Sequence, residues 1–506
     1  MFFSIFVLIS TSVFGIYDHD HSNCNHDHLD HPEPLLNYDI KEDFPPSREK
    51  GRILAAYPNF RTFPYYNRLD SAPPSYRRYM QYELVPAVLS YFEGALRVKY
   101  PVVGKLTIDD SIEELCGIPV PSILRDGGVD ADFFFMIDST VDPGTSWVAE
   151  SYSCQQAAGT KRPIVAKTLL NRDMIKNPGA NVLLHEKNIY LLLHEITHTL
   201  GFSSNLYKYF LDDNGEFLTG HIKTGVLDGK TATVVDVPVL TNKIRSHFGC
   251  SSIEGAFMEN TGTAATAGSH FERRQFGFEA MTSGLVYQQS YSELTLAMLE
   301  ATGWYEPNYE YADAFLWGKG QGCSFLTKSC QSPGFNFEEF CSGGGKGCTV
   351  PGRGGGYCQD DVRSDGCKFY HPREEMDCEN PDSISSARLP ELQSFGRKAN
   401  SKCFSGDLTS DFSASPTTFC FKYKCQGSGE NTILEIQMSQ QSLICTEEGP
   451  LEVAGYNGSI NCPDPLTFCR TVGQKTCPRG CMGRGTCVHG TCVCKRGFTG
   501  KDCASI

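Results

Sequence analysis

Apolar residues fall three and four apart from Tyr79 to Val98 (YMQYELVPAVLSYFEGALRV), the spacing of one helix face. Two runs rich in aromatic and β-branched residues, Ala131 to Ile137 (ADFFFMI) and Pro163 to Leu170 (PIVAKTLL), predict strands. The helical period returns from Asn181 to Leu200, and its second half, YLLLHEITHTL, is apolar almost all round. Such a helix is buried on every side. Gly201 follows, where a left-handed residue commonly ends a helix. Strands followed by a central helix predict a sheet covered by helices, an α+β fold.

Beyond about Gly322 the periodic pattern gives way to cysteine and glycine. The 506 residues include 23 cysteines, 19 of them at or after Cys323. That density belongs to an oxidising compartment. The glycine runs in CSGGGKGCTVPGRGGGYC (Cys341 to Cys358) precede no helix and lack the Lys-Ser/Thr of a phosphate loop. They predict disulfide-bounded loops. Met1 to Gly15 (MFFSIFVLISTSVFG) is apolar but too short to span a bilayer. It predicts a secretory signal, with a buried N-terminal strand as the alternative. No other segment reads as a membrane span. The formal net charge of −14, with no basic stripe, argues against a nucleic-acid partner. YDHDHSNCNHDHLDHPEP, from Tyr17, has no apolar period and predicts an extended segment. REKGR, Arg48 to Arg52, reads as an exposed site for proteolysis.

His194, Glu195 and His198 form a His-Glu-x-x-His pattern in the central helix. Residues four apart lie about 6 Å apart along the axis, on one side. Two imidazoles so placed can reach one zinc ion at about 2.0–2.1 Å. Glu195 beside them can take a proton from water at the metal and return it to a leaving amine. A catalytic zinc needs a third protein ligand. In most relatives of this motif a histidine stands three residues past the glycine, but here that position is Ser204. His221, His247 and His270 are the downstream candidates. A second His-Glu, His185 and Glu186, has Ile189 where a partner would stand and reads as ordinary helix surface.

HEITHTLGF, an insertion of roughly sixty residues, and then GSHFERRQFGFEAMTSG resemble the leishmanolysin family of zinc metalloproteases. CGIPVP at Cys116, SELTLAMLEATGWY from Ser292 and LWGKGQGCSFL from Leu316 extend the resemblance over roughly Tyr79 to Leu326. The resemblance implies a metzincin-like catalytic domain with one Zn2+ per chain. It implies His194, His198 and His270 as ligands, Glu195 as base, and Met281 as the apolar floor of a methionine turn. A thioether also suits any core gap. Ser283 stands where astacin-like enzymes carry a tyrosine, so no side-chain oxyanion donor is assigned. HSNCNHD, His21 to Asp27, is similar to the family's propeptide motif. Cys24 would then hold the open zinc position as a thiolate, or else pair with another chain.

Without Cys24 an even 22 cysteines remain. Cys116, Cys154 and Cys250 are odd in number, as are those from Cys323 to Cys469, so at least one bridge crosses between the groups if the tail closes on itself. Cys116–Cys154 and Cys250–Cys323 are predicted. The tail from Cys477 to Cys503 has six cysteines and a Gly-Phe-x-Gly, and resembles an EGF-like module. That resemblance implies Cys477–Cys487, Cys481–Cys492 and Cys494–Cys503.

These readings divide the chain into a signal peptide (1–15), a propeptide with its cysteine switch (16–50) and an N-terminal catalytic subdomain (51–205). A subdomain with the insertion, third ligand and methionine turn (206–310), a cysteine-rich domain (311–475) and the EGF-like module (476–506) follow. The expected function is a secreted or extracellular zinc endopeptidase, made as a zymogen and acting on protein or peptide substrates. The alternative is a surface adhesion or receptor-binding protein that uses the cysteine-rich and EGF-like parts, with a host or cell-surface protein as partner. The strand at Ile164 to Leu170 is expected at the sheet edge, pairing with an extended substrate. Asn457-Gly458-Ser459 is an N-glycosylation acceptor.

Overall fold

The computed structural model describes residues 57–378 and 401–473, apart from 145–146, 180, 228, 262–266, 285–286, 351, 409–416 and 439–440. It also describes two paired strands, Gly485–Val488 and Thr491–Cys494. The expected signal, the propeptide with Cys24 and the pairings of the EGF-like cysteines lie outside the described residues.

A four-stranded sheet runs in the order Thr62–Tyr66, Phe133–Thr140, Pro163–Asn171, Ala149–Gln156. The first three strands are parallel and the last is antiparallel. Successive side chains alternate between faces. Phe133, Phe135 and Ile137 enter the core shared with the helices, while Phe134 and Met136 enter a second core with Leu106, Ile118 and Leu124. Cover on both faces is why FFFMI reads as an unbroken apolar run.

The same logic corrects one expectation. Pro163–Asn171 lies inside the sheet, and Ala149–Gln156 is the edge. An apolar run with both faces buried belongs to an interior strand. AESYSCQQ carries the polar side chains that suit an edge.

The first helical region starts earlier and stops earlier than its pattern suggests. It comprises Pro74–Tyr79, a π-helical turn at Met80–Leu84, and Val85–Ala95. Pro86 accounts for the wide turn, because it has no N–H to donate to the carbonyl four residues back. Leu96–Val98 then pairs as a strand with Tyr305–Pro307.

The central helix is Val182–Leu200, capped by the Asn181 side chain, which accepts from the Leu184 N–H at 2.9 Å. Leu191, Leu192, Leu193 and Ile196 are buried. Gly201 ends the helix with φ 154°, and a Cβ there would lie 2.6 Å from Thr302 Cγ2. Only glycine fits that close approach. His185 and Glu186 are partnered, not solvated as expected: His185 Nδ1 lies 2.9 Å from the Tyr79 hydroxyl, and Glu186 accepts two hydrogen bonds from Arg353.

The cysteine-rich part holds a three-stranded sheet, Lys346–Cys348, Gly354–Asp360 and Lys368–Asp377. The glycine run therefore forms strands where loops were expected. A Cβ on Gly347 would sit 2.1 Å from the Tyr370 ring, and one on Gly356 would sit 2.2 Å from the His371 carbonyl. Glycine permits that close packing inside a strand. A six-stranded sheet follows, around its own core of Phe404, Phe421, Leu434, Ile436 and Ile460. Both expected bridges, Cys116–Cys154 and Cys250–Cys323, are formed. Six more lie within the cysteine-rich part. Among the described residues no helix is long and apolar enough to cross a membrane.

Candidate metal centre

One turn of the central helix places His194 and His198 with their Nε2 atoms 2.9 Å apart. His270 brings its Nε2 to 3.3 Å from that of His194. These side chains form the one group of potential ligands found among the described residues, with ligand atoms within 4.8 Å of one another. All three are buried. Corners of a tetrahedron with bonds of 2.0–2.1 Å are about 3.3–3.4 Å apart; the His194–His270 separation of 3.3 Å matches that edge, and the His194–His198 pair, at 2.9 Å, is closer than it.

Backbone carbonyls turn the rings. His194 Nδ1 donates to the Ala280 carbonyl and His198 Nδ1 to the Phe202 carbonyl, each at 2.7 Å. Protons held on Nδ1 leave the Nε2 lone pairs facing the common point. Burial pushes the His194 imidazole down to about 4, which keeps it neutral, the form that binds metal.

Ser204, where the common spacing would have a histidine, still touches the segment that carries His270. Its N–H donates to Ser269 Oγ at 3.0 Å, and the Tyr207 hydroxyl donates to the Gly268 carbonyl at 3.0 Å. The insertion thus returns to its starting point and delivers His270 beside it. The Glu259 N–H donates to the His270 carbonyl at 2.8 Å, and the Phe271 N–H to the Met281 carbonyl at 2.9 Å.

Met281 is fully buried and adjoins the cluster through these backbone links. Residues 280 and 281 therefore orient one imidazole and pin the segment that carries another. Glu279 secures the turn. Its buried carboxylate accepts from the Met281 N–H, from the Ser292 N–H and hydroxyl, and from the Thr295 hydroxyl. Burial raises its pKa, and these bonds oppose the rise. Ser283 donates to Glu259 at 2.8 Å.

Glu195 is buried in the same helical turn as the two histidines. The edge strand runs alongside this helix, where Ser153 Oγ donates to the Thr199 carbonyl at 3.1 Å. The other candidate histidines lie elsewhere. His221 Nε2 donates to the Tyr207 carbonyl and His247 Nε2 to the Trp317 carbonyl, both at 2.9 Å. Sequence reasoning missed the two orienting carbonyls and Glu279. Phe202 was within reach, since it follows the glycine that ends the helix. Nothing in the sequence marks Glu279.

The leishmanolysin family model matches residues 74–350, and a tenascin EGF domain model matches residues 476–504. The leishmanolysin-like peptidase of Caenorhabditis elegans is 34% identical over 245 residues, 41% of this chain and 36% of that protein. The ciliated left-right organizer metallopeptidase of Xenopus laevis is 30% identical over 349 residues, 65% of this chain and 45% of that protein. Its Danio rerio counterpart is 28% identical over 364 residues, 68% of this chain and 57% of that protein. The chain thus spans from about a third to just over half of the length of these relatives.

Proposed function

Since the chain belongs to the leishmanolysin family, we propose that it is a zinc-dependent endopeptidase of metzincin-like fold, with His194, His198 and His270 holding the metal. The observation that carries the reading is the convergence of three Nε2 atoms on one point beside Glu195. A zinc ion held there would supply Lewis acidity, acidifying water and polarising a peptide carbonyl.

Glu195 takes the proton from the attacking water and delivers it to the leaving amine. Its burial in the helix fixes it beside the imidazoles, so little reorganisation is needed at the moment of transfer. Met281 serves as the apolar floor that holds the ligand geometry. An extended substrate aligns on the free edge of Ala149–Gln156 by strand addition, which sets its carbonyl over the cluster. Cys24 acts as the inhibitory switch of a secreted zymogen, and the division of the chain drawn from its sequence belongs to this reading. Substrates are proteins or peptides.

The match to a tenascin EGF domain favours an additional role for the tail. In this second reading the module docks the peptidase on an extracellular protein surface.

The test is Glu195→Gln in the mature enzyme. Casein hydrolysis is expected to vanish while metal analysis still finds one zinc per chain. Turnover near that of the wild type would overturn the assignment.

A further inference from the structure

We propose that Asn457 carries an N-linked glycan. The inference rests on the reading above that the chain passes through the secretory pathway. Asn457-Gly458-Ser459 is the one Asn-x-Ser/Thr sequence in the chain. An oligosaccharide is attached before the chain folds, so the folded state must keep that asparagine in solvent.

Asn457 meets this requirement. It is exposed, in the turn between the paired strands Gly449–Glu452 and Ser459–Cys462. The turn is anchored to Asp407 on its far side. Ser459 donates from its N–H and its hydroxyl to Asp407 Oδ1 at 2.6 and 3.2 Å. Gly458 has φ 94°, and a Cβ there would meet the Asp407 carbonyl at 2.6 Å. The acceptor's middle residue is therefore fixed as glycine by the fold, and its outer residue stands clear of that packing. The sheet has its own core, apart from the one that holds the histidine cluster.

In the transfer, Asn457 Nδ2 bonds to the anomeric carbon of a lipid-diphosphate-linked oligosaccharide. The bond from that carbon to phosphate breaks, the diphosphate leaves on the lipid, and the amide nitrogen gives up one proton. An unmodified Asn-Gly pair has another fate. The Gly458 nitrogen can attack the Asn457 side-chain carbonyl and expel ammonia, and water then opens the ring to aspartate.

The experiment separates these outcomes. The full chain is secreted from eukaryotic cells, recovered from the medium, and treated with a glycan-releasing amidase in heavy-oxygen water. Mass spectrometry of the peptide containing residue 457 is expected to show aspartate carrying the heavy isotope with the amidase and not in a parallel incubation in heavy-oxygen water without it, where ring closure at an unmodified Asn-Gly pair would also take up the isotope. The glycosylated band should shift downward on a gel, and Ser459→Ala should abolish both signals without changing casein hydrolysis. A secreted, disulfide-bonded chain with unlabelled asparagine or aspartate at 457 overturns the glycan and leaves the secretory reading intact. A chain that never enters the secretory lumen overturns both.

Discussion

Arg353 clamps the cysteine-rich part to the central helix, and replacing it with methionine should expose the strength of that grip. Its two terminal nitrogens donate to the two oxygens of Glu186, the Nη2 bond at 2.8 Å, and its Nε lies 2.9 Å from Asp377 Oδ2. The side chains of Arg353, Glu186 and Asp377 are 17%, 12% and 1% exposed. Arg353→Met keeps much of the apolar stem but strands two carboxylates where little water can reach them. Breaking such a pair costs about 3–5 kcal/mol when it is fully buried. The partial exposure of Glu186 and Arg353 argues for the lower end, about 3 kcal/mol. A cooperative unit of about 300 residues unfolds with an entropy of about 0.6 kcal/mol/K, so Tm should fall by about 5 °C. Calorimetry of the metal-loaded protein at pH 7 reads this directly. Adding Glu186→Gln and Asp377→Asn to Arg353→Met removes the stranded charges and should recover most of the loss. If Arg353→Met melts within about 1 °C of the wild type, or the triple variant melts no higher than the single one, the clamp argument is wrong.

Three further outcomes are expected. His270→Ala should lose zinc to a mild chelator and lose peptidase activity, while His221→Ala and His247→Ala keep the metal; zinc retained by the His270 variant would redirect the search for the third ligand. Gly277→Ala should destabilise by at least about 2–3 kcal/mol in urea unfolding, because the residue has φ 48° and its Cβ would fall 2.2 Å from the Trp317 ring; an unchanged midpoint would contradict that packing. Burial raises the carboxyl of Glu339 to about 7, so as pH rises the unfolded chain ionises first and stability is lost between about 4.5 and 7, by at most about 3 kcal/mol. Glu339→Gln should flatten the fall in Tm over that window, and a fall as steep as the wild type's would count against the assignment.

The sequence made the central helix and its His-Glu-x-x-His pattern plain, because helical period, motif and terminal glycine coincide in one segment. His270 was a different matter. Spacing left it level with His221 and His247, and the family resemblance singled it out. The edge strand was misplaced although the signal was present: PIVAKTLL is apolar on both of its faces, which indicates cover on both sides and hence an interior position. The grip of Arg353 on Glu186 spans 167 residues, and no local pattern reports a contact of that range. The carbonyls of Phe202 and Ala280 were hidden for another reason. A backbone group can be supplied by any residue type, so its role is legible only once the fold places it.

The distance in sequence between the clustered histidines has a simple physical account. His194 and His270 are 76 residues apart, whereas the common form of the motif needs about ten. Loop closure grows only as the logarithm of length, so the longer excursion costs about 2 kcal/mol more than the short one. The insertion offsets that cost with structure of its own. It contains the hairpin Ile222–Leu227 and Lys230–Val235, and the helix Pro238–Phe248, whose Leu240, Ile244 and Phe248 join the main core. Cys250–Cys323 then ties the end of that helix to the cysteine-rich part. The base of the excursion is closed where Ser204 meets Ser269 and Tyr207 meets Gly268. The imidazole of His270 therefore takes its place from these closing contacts and from the backbone bond between Phe271 and Met281, and not from the length of chain between them.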